Sequence, residues 1–343
     1  MVEHAPFFIF GCPRSGTSLL SRMLNSHHRL GVPYESHIFN NFYPWLKYYG
    51  NLATVDGRAR LIDDILATDV MQDWRPRLTR EQVLPLVEES SFGDIFDATM
   101  RAWIAMTGKE RWGEKTPHHL FYWPQISKFF PQAKIIHLVR DGRDVALSYV
   151  SARFGPTTVY GAAQSWCRYL AEVDRLKKTF KPGLVCEIRY EDLVSEPEIT
   201  LKQLCAFIGE EYDPNMMQFY TNPAQYPTDK RNMHNLRRSV MKGNVGKWKL
   251  GMPRTELEIF ESLTRDDLLR FGYQPATDCP GVSTSRKIYY GMLKGPLSKS
   301  FAMLKNKKGH RDALILSRIR LKLLLAGQRQ SMPGLIMLAL SSA

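Results

Sequence analysis

The sequence predicts an α/β protein with a central parallel sheet flanked by helices, and three stretches carry that prediction. The first is the loop Gly11-Cys12-Pro13-Arg14-Ser15-Gly16-Thr17-Ser18. It lies between an apolar run, Phe7-Phe8-Ile9-Phe10, and a segment with apolar residues at Leu19, Leu20, Met23 and Leu24. An uninterrupted apolar run reads as a strand buried on both faces, and the spacing after the loop reads as a helix packed on it. The second is Ala133-Lys134-Ile135-Ile136-His137-Leu138-Val139, which ends in Arg140-Asp141-Gly142-Arg143-Asp144 and continues with helical character through Tyr149. The third is Leu184-Val185-Cys186-Glu187-Ile188-Arg189-Tyr190, followed by a helical stretch from about Glu198 to Ile208 with Leu201, Leu204, Cys205 and Ile208 on one face.

The first loop has the chemistry of an anion cradle. A glycine-bounded turn between strand and helix aims backbone N–H groups and the positive helix end at one point. Its spacing is G-x-x-x-x-G, as in the nucleotide phosphate loop, but Gly16-Thr17-Ser18 stands where that loop has Gly-Lys-Ser/Thr. The lysine that reaches the β/γ-phosphates of ATP is therefore absent, and Arg14 is the loop's one cation. The loop is expected to hold a phosphate-like group without metal-bridged triphosphate chemistry.

Length and composition bound the rest. The 343 residues, 44% apolar, suit one large α/β domain or two small ones. No run of 18 apolar residues occurs, so no membrane-spanning helix is expected, and the stretch before Phe7 is too short and polar for a signal peptide. Cys12, Cys167, Cys186, Cys205 and Cys279 are scattered without zinc or redox spacing, the pattern of reduced thiols in a cytoplasmic protein. Of the net charge of +13, residues 281–343 carry +11, with twelve Lys/Arg against Asp312. The body, 1–280, is nearly neutral, which argues against a nucleic-acid-binding groove. A domain over 1–280 with a basic tail over 281–343 follows.

In chain order, Gly31-Val32-Pro33-Tyr34-Glu35-Ser36-His37 reads as a strand end and its loop, in which Glu35 on its own is a solvated carboxylate. Residues 45–110 hold amphipathic stretches, Ala59 to Leu66 and Phe92 to Met106, expected to form a lid or substrate wall. Arg111-Trp112-Gly113-Glu114-Lys115-Thr116-Pro117-His118-His119 reads as a polar cluster between apolar helices, and its two histidines lack partners at metal-ligand spacing. Arg140 and Arg143 stand at a strand's carboxyl end, where open parallel sheets bind ligands, or else pair only with Asp141 and Asp144. The basic stretch from Arg237 to Trp248 is either a loop folded over an anion or a solvated one, and the helix from Pro253 to about Phe271 closes the body.

With these motifs in order, the chain resembles the sulfotransferases that use 3′-phosphoadenosine-5′-phosphosulfate, over roughly residues 5–275. Pro13-Arg14-Ser15-Gly16-Thr17-Ser18 is similar to the family's 5′-phosphosulfate loop. Val139-Arg140-Asp141-Gly142-Arg143-Asp144, with Ser148, is similar to its 3′-phosphate element. Arg189-Tyr190-Glu191-Asp192-Leu193 and Lys242-Gly243-x-x-Gly246-x-Trp248 match later elements that enclose the nucleotide. Cytosolic members carry Arg-Lys-Gly at the last motif; here Met241 takes the first position, and Arg238 or Ser239 is the neighbour placed to make its contact.

The resemblance implies transfer of a sulfuryl group from that donor to a hydroxyl, with no metal. Donor binding falls to Arg14, Ser15, Gly16, Thr17, Ser18, Arg140, Arg143, Ser148, Tyr190, Ser239, Lys242, Gly243 and Lys247. Glu35 aligns with the carboxylate base of the tyrosyl-protein and some bacterial relatives. His118 lies near the base of the cytosolic branch with one residue inserted, and Glu35 is preferred. Lys115 matches the lysine that steadies the bridging oxygen. Sugar, lipid, phenol and peptide tyrosine are all open as acceptors. A nucleoside-triphosphate kinase, which magnesium dependence would reveal, and a non-catalytic membrane-associated module are the alternatives.

The tail has its own pattern. On a helix, Arg311, Arg318, Lys322 and Arg329 form one stripe, while Leu316, Ile319, Leu323 and Leu324 make an apolar side. A short apolar segment, Leu335 to Leu340, follows. Contact with the anionic inner face of a membrane, docking on the body and disorder are the three readings, and the first would bring the enzyme to a membrane-borne acceptor.

Overall fold

β1 (Phe7–Phe10) is buried along its whole length and lies between β3 (Arg111–Glu114) and β4 (Lys134–Val139). The computed structural model describes residues 5–152, 154–221, 236–279, 281–298, 300 and 307–330. β2 (Leu30–Gly31) and β5 (Val185–Arg189) complete a five-stranded sheet in the order β2-β3-β1-β4-β5. Every pairing is parallel, running from Phe7↔Lys134 to Phe10↔His137 between β1 and β4. Parallel neighbours need long crossovers, and helices supply them. α1 (Thr17–Asn25) follows β1, and α2 (Val55–Leu66) and α3 (Phe92–Thr107) lie between β2 and β3. α4 (Gly142–Val150) and α5 (Val159–Thr179) connect β4 to β5, with α6 (Pro197–Ile208) and α7 (Arg254–Arg270) beyond.

The sheet explains why β1 shows no alternation. Phe8 and Phe10 enter a core with Phe39, Phe96 and Trp112, while Phe7 and Ile9 enter a second one with Leu20, Leu24, Leu201 and Leu204. Successive side chains point to opposite faces, and here both faces are covered.

One sequence reading is corrected. Arg111–Glu114, read as a polar cluster, is a fully buried strand. Its polar groups have partners inside: Arg111 donates to the carbonyls of Ala5 and Ile208, each at 2.7 Å, and pairs with Glu210 at 3.2 Å. The Trp112 indole donates to Asp97 at 2.8 Å. Burial of such groups is tolerated because each is hydrogen-bonded.

The tail also takes a definite place. α8 (Lys307–Gln330) packs on the turn Tyr43–Tyr48 and the short helix Asp69–Gln72. Ile319 and Leu323 join the main core, Leu316 packs against it, and Arg311 pairs with Asp69 at 2.9 Å. The expected apolar side is therefore spent on docking, except that Leu324 is exposed. The side chain of Arg329 and the segment Leu335 to Leu340 lie outside the described residues.

Candidate active site

The loop after β1 is wound by two residues in the left-handed region, Arg14 at φ 77° and Gly16 at φ 99°. A Cβ on Gly16 would lie 2.4 Å from the Tyr190 ring, so conformation and space both demand glycine there. The Ser15 N–H donates to the Cys12 carbonyl at 3.0 Å, closing the turn. Gly16 is the N-cap of α1 and brings no side-chain bond to it, leaving the positive helix end facing the loop. Ser15 Oγ is buried with no hydrogen-bond partner. A buried hydroxyl left unbonded in such a loop fits an incoming oxyanion.

The end of β4 brings a cation to this loop, and α4 brings a hydroxyl. Arg14 Nε donates to Ser148 Oγ at 2.9 Å, so two of the expected donor-binding residues meet across 134 positions of sequence. Arg140 donates to the Arg14 carbonyl at 3.1 Å and the Asn244 carbonyl at 2.5 Å, and its guanidinium lies over the Tyr190 ring at 4.4 Å. Its Nε is buried without a partner. Burial first, and then the neighbouring Arg140, lower the pKa of Arg14. Holding two guanidinium groups together costs energy that an anion between them would recover.

The end of β3 brings a lysine to the same place. Lys115, with its side chain fully buried, donates to Ser18 Oγ at 3.1 Å and forms a close ion pair with Glu35. A lysine thus lies beside the loop from a different strand. Glu35 also contacts His37 Nε2 at 3.2 Å, and its backbone carbonyl accepts from the Trp74 indole at 3.2 Å. Burial raises the Glu35 pKa, but Lys115 and His37 together override it and hold the carboxyl well below the usual range.

A buried scaffold fixes the pair from behind. Thr116 Oγ1 accepts from the Ser36 N–H at 3.0 Å, Glu114 accepts from the Thr116 N–H at 3.1 Å, and His119 Nδ1 lies 3.1 Å from Glu114. The neighbours of Glu35 are therefore tied to the neighbours of Lys115.

His37 is the functional candidate that sequence reading passed over. It adopts φ 53°, unusual outside glycine, and its ring lies 6.2 Å from that of His118. The available signal was its place two residues beyond Glu35. His118 is exposed, with its ring 6.3 Å from that of Tyr169. Partial desolvation first, then the charge of His37, push its pKa down to about 4.

Arg143 requires a correction. Its guanidinium is taken up by Asp141 at 2.8 and 2.9 Å, by Glu261 at 2.7 Å and by the Gln274 carbonyl at 2.9 Å, and it lies 3.7 Å from the Trp248 ring centre. With its donors committed to this buried network, it braces the strand end rather than reaching a phosphate. Arg140, instead, has an unbonded Nε.

The late basic loop lies against the strand end. Asp144 accepts from the N–H groups of Gly246 at 2.7 Å and Trp248 at 2.9 Å, and Asn244 meets Arg140. Gly243 and Lys247 are exposed on this loop, Ser239 is exposed just before it, and the side chain of Lys242 lies outside the described residues. The Arg189-Tyr190-Glu191 stretch supports the same corner: Glu191 accepts from the Asp141 N–H at 3.1 Å and from Tyr273 at 2.7 Å.

Among the described residues one group could hold a metal ion, His27, His28 and Asp213, at the opposite end of α1 from the loop. Both ring nitrogens of His27 are already engaged, by the Glu211 carbonyl and the Arg29 N–H.

A parallel sheet flanked by helices, with arginines and a lysine–carboxylate pair around the loop after its central strand, defines an α/β protein with a polar site at that loop. The chain belongs to the sulfotransferase family, whose model matches residues 6–214. It is 26% identical over 257 residues to an uncharacterized protein of Aquifex aeolicus, a match covering 71% of this chain and 30% of that protein's length. It is 21% identical over 220 residues to a putative protein-tyrosine sulfotransferase of Caenorhabditis briggsae, covering 62% of this chain and 68% of that one. Its fold is similar to the sulfotransferase domain from the curacin biosynthetic pathway, with a TM-score of 0.56 at 20% identity, covering 79% of this chain and 98% of that domain.

Proposed function

We propose that this protein transfers a sulfuryl group from 3′-phosphoadenosine-5′-phosphosulfate to a hydroxyl acceptor, forming a sulfate ester. The observation that carries the reading is the Lys115–Glu35 pair set against Ser18 at the head of the anion loop. It joins a cation and a carboxylate at the one point where a donor group would end and an acceptor begin.

Each residue then has a distinct task. Ser15, the loop N–H groups and Arg14 hold the 5′ end of the donor, while Arg140 and Ser148 take its 3′-phosphate. The loop and the β4 end that carry these residues lie side by side, with Arg140 donating to the Arg14 carbonyl at 3.1 Å. The donor supplies the sulfuryl group, which bonds to the acceptor oxygen as adenosine 3′,5′-bisphosphate leaves. Lys115 offsets the charge that grows on the leaving oxygen, and Glu35 takes the acceptor's proton. The ion pair keeps the Glu35 carboxylate charged before the donor arrives. Catalysis of this kind is mainly positioning plus electrostatic stabilisation.

Adenosine 3′,5′-bisphosphate is expected to bind in the micromolar range and 5′-AMP far more weakly. Arg140→Ala should weaken the bisphosphate by about 2 kcal/mol, the scale of a hydrogen bond to a charged group. Calorimetry giving equal affinities for variant and parent would remove Arg140 from the donor site. Transfer of label from the sulfated donor onto an extract of the source cell, followed by product identification, tests the reaction itself.

A further inference from the structure

α8 has two apolar faces, and docking uses only one of them. At 100° per residue, Ile315, Leu316, Ile319 and Leu323 centre on the side that packs on the body. Leu314, Leu321 and Leu325 centre on the opposite side and are 59%, 58% and 53% exposed. Arg318 and Lys322, both exposed, border this outer stripe. Arg311 lies on the same border, held by Asp69.

A second segment of the tail repeats the arrangement. Thr284–Ile288 and the turn Tyr289–Lys294 are held to the body by stacking of Tyr290 on Tyr160 and by Lys294 facing Glu256 at 3.7 Å. Ile288, Met292, Leu293 and Leu297 remain 50–73% exposed, beside the exposed Arg286 and Lys287. Isolated surface leucines need no explanation, but aliphatic stripes on two docked segments of one extension do.

We infer that the outer face of this C-terminal extension is a binding surface for an anionic lipid bilayer. The charge selects the occupant: residues 281–343 carry +11 of the chain's +13. Aliphatic side chains bordered by Lys/Arg match the acyl–headgroup boundary, where the leucines enter the apolar layer and the cations meet phosphates. A second copy of the chain fits less well, because a symmetric dimer sets a patch against itself and would oppose two extensions of the same charge. Among the described residues no helix is long and apolar enough to cross a membrane, so the contact is peripheral. Docking and lipid contact, alternatives when only the sequence is considered, coexist because they use opposite faces of one helix.

The test is sedimentation of the full chain with vesicles, in the absence of any donor or acceptor, so its failure is separate from failure of the sulfotransferase reading. The parent should pellet with equimolar phosphatidylglycerol/phosphatidylcholine vesicles at low ionic strength and much less with phosphatidylcholine alone. The triple variant Leu314→Ser, Leu321→Ser, Leu325→Ser should lose about tenfold or more in partitioning. Arg318→Glu with Lys322→Glu should abolish the preference for anionic lipid. These side chains are exposed, so helical circular dichroism and affinity for adenosine 3′,5′-bisphosphate should match the parent. A parent that stays in the supernatant, or a leucine variant that pellets like the parent, overturns the inference. A parent dimer that the leucine variant converts to monomer, without vesicle binding by either, also overturns it and assigns the face to a second copy.

Discussion

Glu35→Gln is expected to lower turnover by about 10² or more while leaving affinity for adenosine 3′,5′-bisphosphate nearly unchanged, as expected for loss of an acid/base group. Lys115→Met should do the same through the leaving oxygen. Lys115 meets the donor-binding set at Ser18, and Glu35 meets Lys115, so both stand at its edge. Single-turnover transfer and calorimetry read the two quantities independently. His118 is the competing base; its ring lies 6.2 Å from that of His37. If His118→Ala abolishes transfer while Glu35→Gln retains near-parent activity, the proton goes to the imidazole and the assignment of Glu35 is wrong.

The same pair makes a pH prediction. The Glu35 carboxyl titrates well below the usual carboxylate range, because Lys115 and His37 outweigh the burial that raises it. As pH falls through that range, Glu35 therefore keeps its charge in the parent. Lys115→Met removes the largest opposing charge while the burial stays, so the Glu35 pKa should move up and the acid limb of residual activity should shift to higher pH. A carboxyl that titrates at the same pH in both proteins would mean the ion pair is not what sets it.

Arg143→Ala should destabilise the fold by about 3–5 kcal/mol, the scale for breaking a buried ion pair from one side. Asp141 and Glu261 would be left buried without their cation, and Glu261 is fully buried. Arg143→Lys should recover little, since one ammonium cannot replace a planar fork that serves Asp141, Glu261 and Gln274 while stacking on Trp248. Urea unfolding measures the loss. In the folded fraction the affinity for adenosine 3′,5′-bisphosphate should stay near the parent's, the reverse of the result expected for Arg140→Ala. A variant as stable as the parent but unable to bind the bisphosphate would return Arg143 to the donor site.

The loop and the sheet centre were legible in the sequence because their determinants are contiguous. Four apolar residues in a row reveal a strand covered on both faces, and a glycine-bounded turn running into an apolar helix needs no distant partner to be recognised. Ala133 to Val139 and Leu184 to Tyr190 were readable for the same reason.

Tertiary structure decided what depends on the other side of a contact. Arg111–Glu114 looks polar along the chain; it is a strand because Ala5, Ile208, Glu210 and Asp97 wait for its side chains. Glu35 and Lys115 meet because β2 and β3 pair as Gly31↔Trp112, bringing two loops to the same edge of the sheet. Arg140 and Arg143 are three residues apart and chemically identical, yet Glu261, 118 positions away, claims one, while the other keeps an unbonded nitrogen. The tail's periodicity showed that α8 has an apolar side, and only packing decided that Ile319 and Leu323 face the body while Leu314, Leu321 and Leu325 face out. Local pattern states which side chains can leave water; the free energy that settles where they go comes from neighbours the chain brings in from elsewhere.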